Sequence, residues 1–545
     1  MKQQKKIQIS QNQIETALQT TQKNRFTYTI IFLSILFIQG LGGFSSLSAI
    51  PLYFYETRYL CKEGNIFSNN CERNFLCSKS TIFNRDYKLD TNNLISLTSF
   101  ISRYDIFCNN KKIVFLSTCY FIGGVIGTII YPFIYNFLGL LNTILCSCLL
   151  YIFSSILLYP NFSYSIGSIS YILNTISLVL FLLGPPQYIS ECSPPSDRVY
   201  FFLFYFISLP LSGLLSTLIA YKTHDIKYIF LISSIICLLG LILGKIYLVE
   251  SPRTCYIREK YDEFILNCEY ISKINNSQIE FNLWKEENIT KENKKDINEK
   301  KKIENEIRLK KEFGNINYIT IWKIPSQVKL LLLFCVASFI ANYGLLLVQL
   351  EIKKQSHFYK SLIIAFCSDI IGFIFGSIIF EIPLLKRKTS FILINLLTSI
   401  SYLLSSLYYY DHYIKMFILM RICAYALLMN YNILNFEVFP TFTKPVAVSI
   451  NRIFSRGFNL WTPALMISAP KVGYVLGVLF TIINVLLTLA FSPEETKNKA
   501  LKEYPKELIG ILDSHKNDDE KFIYGDEYEK LKKSGEDDYT NFNEK

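Results

Sequence analysis

Histidine is scarce in this 545-residue chain. The four present, His224, His357, His412 and His515, all lie outside the long apolar runs, so no histidine relay for protons exists inside them. No G-x-x-x-x-G-K-[ST] phosphate loop occurs. The nearest string, GLILGK from Gly240 to Lys245, is one residue short and closes an apolar run instead of opening a soluble helix, so nucleotide-driven pumping has no support. No nucleophile, base and orienter grouping appears, which argues against an enzyme. The segment between the first two apolar runs lacks Asn-x-Ser/Thr, and Asn161-Phe162-Ser163 occupies only a very short turn. Charged residues make up 18% of the chain and are almost absent from the interiors of the first six apolar runs.

What fills the chain is apolar. Hydrophobic residues account for 51% and aromatic residues for 15%, with a mean hydropathy of +0.27, a balance soluble domains rarely reach. Apolar runs of roughly 20 or more residues recur about twelve times, each long enough to cross a hydrocarbon core of about 30 Å at 1.5 Å per residue. They fall at 27–54, 113–135, 140–160, 167–190, 199–221 and 226–249, then at 328–350, 358–381, 389–410, 413–435, 446–468 and 470–492. The expected fold is an all-α integral membrane protein with twelve transmembrane helices.

The first run follows Lys2, Lys5, Lys6, Lys23 and Arg25. It is much longer than a signal-peptide core of about 7 to 15 residues, so it reads as a retained helix. That basic leader, Arg198, the lysine-rich middle of the chain and Lys386-Arg387-Lys388 fall on one side of the alternating topology. The positive-inside rule makes that side cytosolic, and both termini with it. The net charge of +12 does not point to nucleic acid, because the basic residues are spread over short loops and a mixed-charge segment from Lys285 to Glu312. Such a segment reads as a solvated linker, and no basic and aromatic face accompanies it.

The chain therefore divides into a cytosolic tail (1–26), a six-helix bundle (27–250) with an outer loop at 55–112, a cytosolic linker (251–327), a second six-helix bundle (328–492) and a polar tail (493–545) expected to be mobile. Two such bundles with a substrate between them near the midplane are a transporter layout. The outer loop carries Cys61, Cys71, Cys77 and Cys108, facing an oxidising compartment. Two disulfides are expected, with the pairing open, since C-x9-C-x5-C-x30-C lacks the close pairs usual for zinc. The other ten cysteines read as small buried hydrophobes.

Several motifs point further. ESPRTCYIREKYDEFILNCEYISKINNS, from Glu250, resembles the E-S-P-R-W-L, basic residue and I-A-K-x-N sequence after span 6 of the organic cation, anion and zwitterion transporters of the major facilitator superfamily. SRYDIFC (Ser102 to Cys108) resembles their W-D-L-V-C element, NYGLLL (Asn342 to Leu347) their Y-Y-G-L-S-L, and NFEVFPT (Asn435 to Thr441) their A-E-L-Y-P-T. From Lys444 a basic residue, Ser455-Arg456 and Pro463 keep the family spacing, and SPEETKNKAL (Ser492 to Leu501) resembles its P-E-T-K-G segment. Sugar porters share E-S-P-R and P-E-T-K-G, but VASFIANYGLLLVQLE in span 7 lacks their Q-Q-x-S-G pattern, and the four-cysteine loop suits the organic-ion group.

The resemblance implies the major facilitator fold of two six-helix bundles and a gate at the cytosolic rim. Glu191, Pro194, Pro195 and Arg198 end span 4, and Glu437, Pro440 and Lys444 echo them after span 10. Charges placed so can pair across the halves in one state and part in the other. Glu250, Arg253 and Arg421 join this motif set. One departure stands out: PFIYNFLGLLN (Pro132 to Asn142) keeps only Gly139 of the G-x-x-x-D-R-x-G-R-R loop, with Asn136 for the acid and Leu140 and Leu141 for the arginines. Tyr171 also stands where the family usually has an arginine.

Charges inside a bilayer cost about 2.5 to 3.5 kcal/mol each on insertion scales, so they normally face a cavity or a partner. In the second half they are Asp369, Arg421, Arg452 and Arg456, with Glu351 and Glu381 nearer the ends. Arg452 lies about 9 Å into its span and is expected to snorkel to the cytosol. Arg456, about 15 Å in, and Asp369, at similar depth, both reach the depth expected of substrate and are candidate substrate contacts, Asp369 for an amine; the plain alternative is an Arg456–Asp369 ion pair or Arg456 bound to backbone carbonyls. Family members that carry anions and zwitterions are similar in having arginine at the Arg456 position. A guanidinium can hold a carboxylate or sulfonate through two parallel hydrogen bonds. Gln39, Asn174 and Tyr343 would complete the cavity.

These features imply an ATP-independent transporter of small organic ions, anionic or zwitterionic, acting by alternating access without a cofactor. Its partners would be the substrate and the bilayer, with no nucleic acid and no ATP, as a monomer in the plasma membrane. The alternatives are a hexose transporter like the sugar porters and a non-transporting receptor or scaffold on the same fold.

Overall fold

The computed structural model describes residues 11–22, 27–54, 97–160, 163–258, 260–287, 320–351, 358–407, 413–462 and 470–491, with short pieces at 59–63, 66–68, 77, 87–89, 318, 493, 495–497, 499 and 501. The helices are α1 (Gln11–Gln22), α2 (Thr27–Gly43), α3 (Asn110–Leu138), α4 (Leu140–Leu158), α5 (Tyr164–Cys192), α6 (Arg198–Thr223), α7 (Lys227–Tyr247), α8 (Pro252–Ile257), α9 (Tyr261–Ile274) and α10 (Gln278–Lys285). The second half adds α11 (Pro325–Glu351), α12 (Phe358–Glu381), α13 (Arg387–Leu407), α14 (Tyr413–Val438), α15 (Lys444–Phe458) and α16 (Pro470–Phe491).

Among the described residues, eleven helices are long and apolar enough to cross a membrane. Of the expected span at 446–468, the described residues hold α15 and a 3-10 turn, Asn459–Trp461, with 463–469 outside them. Asn451, Arg452, Ser455 and Arg456 of α15 are all buried against protein, so this helix is shaped by its partners and not by lipid. The expected first span is broken. Past Gly42-Gly43, α2 gives way to short turns at Ser45–Ser48 and Ile50–Tyr53, the second with Pro51 in its first turn.

Each bundle repeats one packing pattern. In the first, α5 packs on α3 and α4, α7 on α2 and α4, and α6 on α2. In the second, α14 packs on α12 and α13, α16 on α11 and α13, and α15 on α11. The correspondence α2 to α11 through α7 to α16 is complete for these contacts, which is the signature of a duplicated half. Among the described residues, the bundles meet chiefly along α3 with α15 and α6 with α12, seams related by the same exchange.

Two expected tails turn out to be built in part. The expected cytosolic tail contains α1, which packs on α9 and α10 around a second small core of Ile14, Leu18, Phe264, Phe281 and Trp284. Asn275 ties this core to the bundle: its amide donates to the Thr21 carbonyl at 2.9 Å and accepts from the Tyr28 N–H at 2.9 Å. The end of the molecule carrying α1 is called the α1 end below. Beyond α16, Glu495 to Lys497 dock there too, with Lys497 donating to the Ile382 carbonyl at 2.9 Å.

At the opposite end, the 55–112 loop contains a small antiparallel sheet, β1 (Tyr59–Glu63), β2 (Ile66–Ser68) and β3 (Tyr87–Leu89), in the order β2-β1-β3. Hydropathy does not signal this sheet. Cys77 and Cys108 are joined by a disulfide with Cα atoms 5.4 Å apart. Cys61 lies in β1, and Cys71 and Asn161 lie outside the described residues.

Candidate functional site

Helix α15 sets two arginines one turn apart. Residues i and i+4 share a helix face, so Arg452 and Arg456 point into the same space between the bundles. That space is a cavity of about 20 Å³, with room for about one water molecule. Tyr120, Asn342, Asn432, Arg452, Arg456 and Asn459 line it together with apolar side chains such as Leu47, Phe121 and Phe206, and no carboxylate does among the described residues.

Arg456 is only 6% exposed, and among the described residues it makes no ion pair or hydrogen bond. Its guanidinium lies 4.8 Å from the ring centroid of Tyr120 on α3, a cation–π contact that crosses between the bundles. Beneath it is Gly124, where a Cβ would meet Arg456 Cδ at 3.3 Å and Nε at 3.4 Å. The glycine lets the arginine lie flat along α3.

Arg452 does not snorkel, contrary to expectation. It is 3% exposed, donates to Asn432 Oδ1 at 2.6 Å and Asn342 Oδ1 at 3.4 Å, and lies over the Tyr431 ring at 5.4 Å. Neutral amide oxygens orient this guanidinium without cancelling its charge. The pocket therefore carries two positive side chains and no anionic counterpart among the residues lining it.

Asp369, expected beside Arg456 at the substrate, does not line the cavity, and the alternative Arg456–Asp369 pair is not formed either. Asp369 instead takes both ends of the Arg421 guanidinium, at 2.7 Å from Nε and 2.5 Å from Nη2, between α12 and α14. Phe366, Phe417 and Tyr425 enclose that guanidinium at 5.5 to 5.9 Å. Asp369 is thus a structural anchor within the second bundle. Arg421, expected in the gate, is its partner there.

Nor do Gln39, Asn174 and Tyr343 line the cavity. Gln39 donates to the Gly240 carbonyl at 3.0 Å and joins α2 to α7. Asn174 accepts from Ser46 at 2.5 Å and donates to Ser154 at 3.1 Å. Tyr343 donates to the Gly473 carbonyl at 2.7 Å and joins α11 to α16. Each is a helix-to-helix fastener, and of the three only Gln39 keeps a buried atom, Oε1, without a hydrogen-bond partner among the described residues. Tyr171, in turn, packs in an aromatic cluster with Tyr53 and Phe100.

The α1 end gathers the residues that the motifs assign to a gate. Arg198 Nη1 on α6 reaches Glu437 Oε1 on α14 at 3.2 Å, and Lys444 Nζ on α15 reaches Ser190 Oγ on α5 at 3.2 Å. All four residues are buried, and both contacts cross between the bundles. Lys444 bonds the neighbour of Glu191 because Glu191 is engaged within its own half, accepting from Gln187 and from Thr254, each at 2.8 Å, while its carbonyl accepts from Arg253 Nε at 3.2 Å.

The two halves build this end alike. Thr254 donates to Glu191 as Thr496 donates to Glu437, both at 2.8 Å. Glu250 accepts the N–H groups of Leu140 (3.0 Å) and Leu141 (3.2 Å) at the start of α4, as Glu495 accepts that of Arg387 (3.1 Å) at the start of α13. A carboxylate there answers the unpaired donors of the first helical turn. The halves differ at one point: Glu437 also pairs with the Arg387 guanidinium, whereas Glu191 is met by the neutral amide of Gln187, which accepts from Tyr131 at 2.7 Å. This replaces the arginines missing at Leu140 and Leu141.

Arg258 completes the substitution by donating to the Tyr135 and Asn136 carbonyls, the latter at 2.7 Å, at the end of α3. Between them Gly139 turns at φ 97°, a conformation glycine adopts without strain, and a Cβ there would strike Glu250 Oε2 at 2.5 Å. Burial, and then repulsion from Glu191, push the Glu250 carboxyl up to about 7, against the pull of the Leu141 N–H, Arg258 and the Ser251 N–H.

The sequence profile of the Major Facilitator Superfamily matches residues 32–463. Among solved structures, the chain is similar to the proton:xylose symporter XylE bound to 6-bromo-6-deoxy-D-glucose, at TM-score 0.61 and 15% identity, covering 90% of this chain and all of that one. It is similar also to a double tryptophan mutant of XylE (TM-score 0.63, 16% identity, 89% and 99% covered). The partially occluded inward-open form of XylE from E. coli gives TM-score 0.54 at 14% identity, with 86% and 100% covered. No curated protein matches the chain significantly by sequence.

Proposed function

This chain belongs to the major facilitator superfamily, and on that premise we propose that it is a secondary transporter of small organic anions or zwitterions, acting by rocking its two bundles about the Arg452–Arg456 cavity. One observation carries the choice of charge. Arg456 is buried beside a cavity lined, among the described residues, by two guanidiniums and no carboxylate. A buried cation without an anionic partner is costly, and a substrate carboxylate or sulfonate would relieve that cost through two parallel, charge-assisted hydrogen bonds. The Tyr120 ring on the other face of the guanidinium leaves its edge for such an anion.

The α1 end is read as cytosolic, since it gathers the basic leader and the basic loops. The buried Arg198–Glu437 and Lys444–Ser190 contacts then form a closed inner gate, and a cavity of about 20 Å³ leaves no space for an organic ion until the bundles part. The Glu250 and Arg258 clasp at the α3–α4 turn supports a working gate in spite of the altered loop motif, and so favours transport over a receptor role. The Cys77–Cys108 bridge supports an outer loop in an oxidising compartment, and hence the plasma membrane.

A neutral polyol is the second reading. The amides of Asn342, Asn432 and Asn459 offer the paired donors and acceptors that sugar hydroxyls need. Exchange by the purified, reconstituted protein, screened across organic anions, zwitterions, organic cations and hexoses, separates these readings: anion exchange supports the first and hexose exchange the second.

A further inference from the structure

We propose that Tyr318 is a positioning residue whose hydroxyl pins the start of the second bundle onto the proline break of α3 and holds the two bundles together at the α1 end. Pro132 lies inside α3. Proline has no N–H, so the carbonyl four residues earlier, that of Thr128, has no donor within the helix, and the ring loosens the adjoining turn. A carbonyl left without a donor away from water is costly.

Tyr318 supplies that donor. Its hydroxyl lies 3.1 Å from the Thr128 carbonyl oxygen and 2.9 Å from that of Ile129, sharing one hydrogen between the two acceptors. Its ring packs against Phe133, the residue after the proline, with centroids 6.1 Å apart. Tyr318 precedes the 3-10 turn Thr320–Lys323 and α11, so it is joined to the second bundle, whereas α3 belongs to the first.

The contact therefore spans the halves on a seam helix. Helix α3 packs along α15 and also carries Tyr120 and Gly124 against Arg456. When the bundles part along that seam, the phenol leaves and the Thr128 carbonyl loses its donor again. The bond is made only in the closed arrangement and so favours it. The bond acts on the conformational equilibrium alone, whatever the protein carries.

The test uses the full-length protein in lipid nanodiscs, with hydrogen–deuterium exchange followed by mass spectrometry and no substrate added. Wild type, Tyr318→Phe, Pro132→Ala and the double variant are compared at the gate segments 194–200 and 437–444. Removing the hydroxyl alone should speed exchange there by about threefold to tenfold, the range expected for one net hydrogen bond. In the Pro132→Ala background, where an alanine N–H serves the Thr128 carbonyl, the same removal should change exchange less than about twofold by the same reasoning. Equal effects in the two backgrounds, or gate exchange unchanged by Tyr318→Phe, would overturn the proposal. Pro132→Ser restores the same N–H and stands in should the alanine variant not fold.

Discussion

Arg198 of the first bundle and Glu437 of the second meet at 3.2 Å with 1% and 0% of their side chains exposed. The same carboxylate also holds Arg387 and the Thr496 hydroxyl, so a single acid joins the bundles and fastens the segment after α16. Breaking a buried pair by removing one partner strands the other charge. The proposed gate is therefore expected to depend chiefly on Glu437.

Neutralising it should open the α1 end. With Glu437→Gln, Arg198 and Arg387 lose their shared counterion, and alkylation of a cysteine introduced at the buried Ser193 should speed up at least tenfold, about 1.4 kcal/mol of population shift. Alkylation as slow as in the parent would show that other contacts close this end.

Asp369→Asn should damage stability before it damages recognition. It strands Arg421 in an aromatic enclosure, at a cost of about 3 to 5 kcal/mol, read as a marked fall in melting temperature. Replacing both partners, Asp369→Leu with Arg421→Met, should recover most of the loss. An Asp369→Asn protein with unaltered melting but lost exchange would instead return Asp369 to the substrate site.

How far the sequence could be read divides along physical lines. The spans and the duplicated halves follow from apolar length and repeated motifs, and the depth of Arg456 follows from helical rise. Depth does not reveal which helix face meets which neighbour. Asp369 lies twelve residues before the end of α12 and Arg456 twelve residues after the start of α15, so depth matched them, yet helix packing gave Asp369 to Arg421. Snorkelling of Arg452 was an inference from depth too. The four-residue spacing to Arg456 was the signal that both arginines share one face, and Asn342 and Asn432 were legible only as polar residues within apolar runs. Tyr318 carried no sequence signal except the proline it serves.

Glu250 should impose a pH dependence of definite sign. Its carboxyl is raised to about 7 in the folded protein, mainly by burial, so folding favours the protonated form. The stability it contributes is complete below its unfolded value of 4.5 and is lost as pH rises toward about 7. Thermal unfolding of wild type against Glu250→Gln should show this loss between about pH 4.5 and 7 in wild type only, by that linkage. Parallel profiles for the two proteins would show that Glu250 does not titrate in this window.

The claim that a substrate anion is read by Arg456 is tested most directly by counterflow of labelled organic anions in proteoliposomes, comparing wild type with Arg456→Ala and Gly124→Val. The glycine variant reaches the same guanidinium from α3, since a side chain there must displace it. Both variants should lower anion exchange by about tenfold to a hundredfold, as expected for losing a charge-assisted pair, while folded protein is recovered in normal amounts. Anion exchange at the wild-type rate in both variants, or exchange of hexoses that ignores Arg456, would contradict the account.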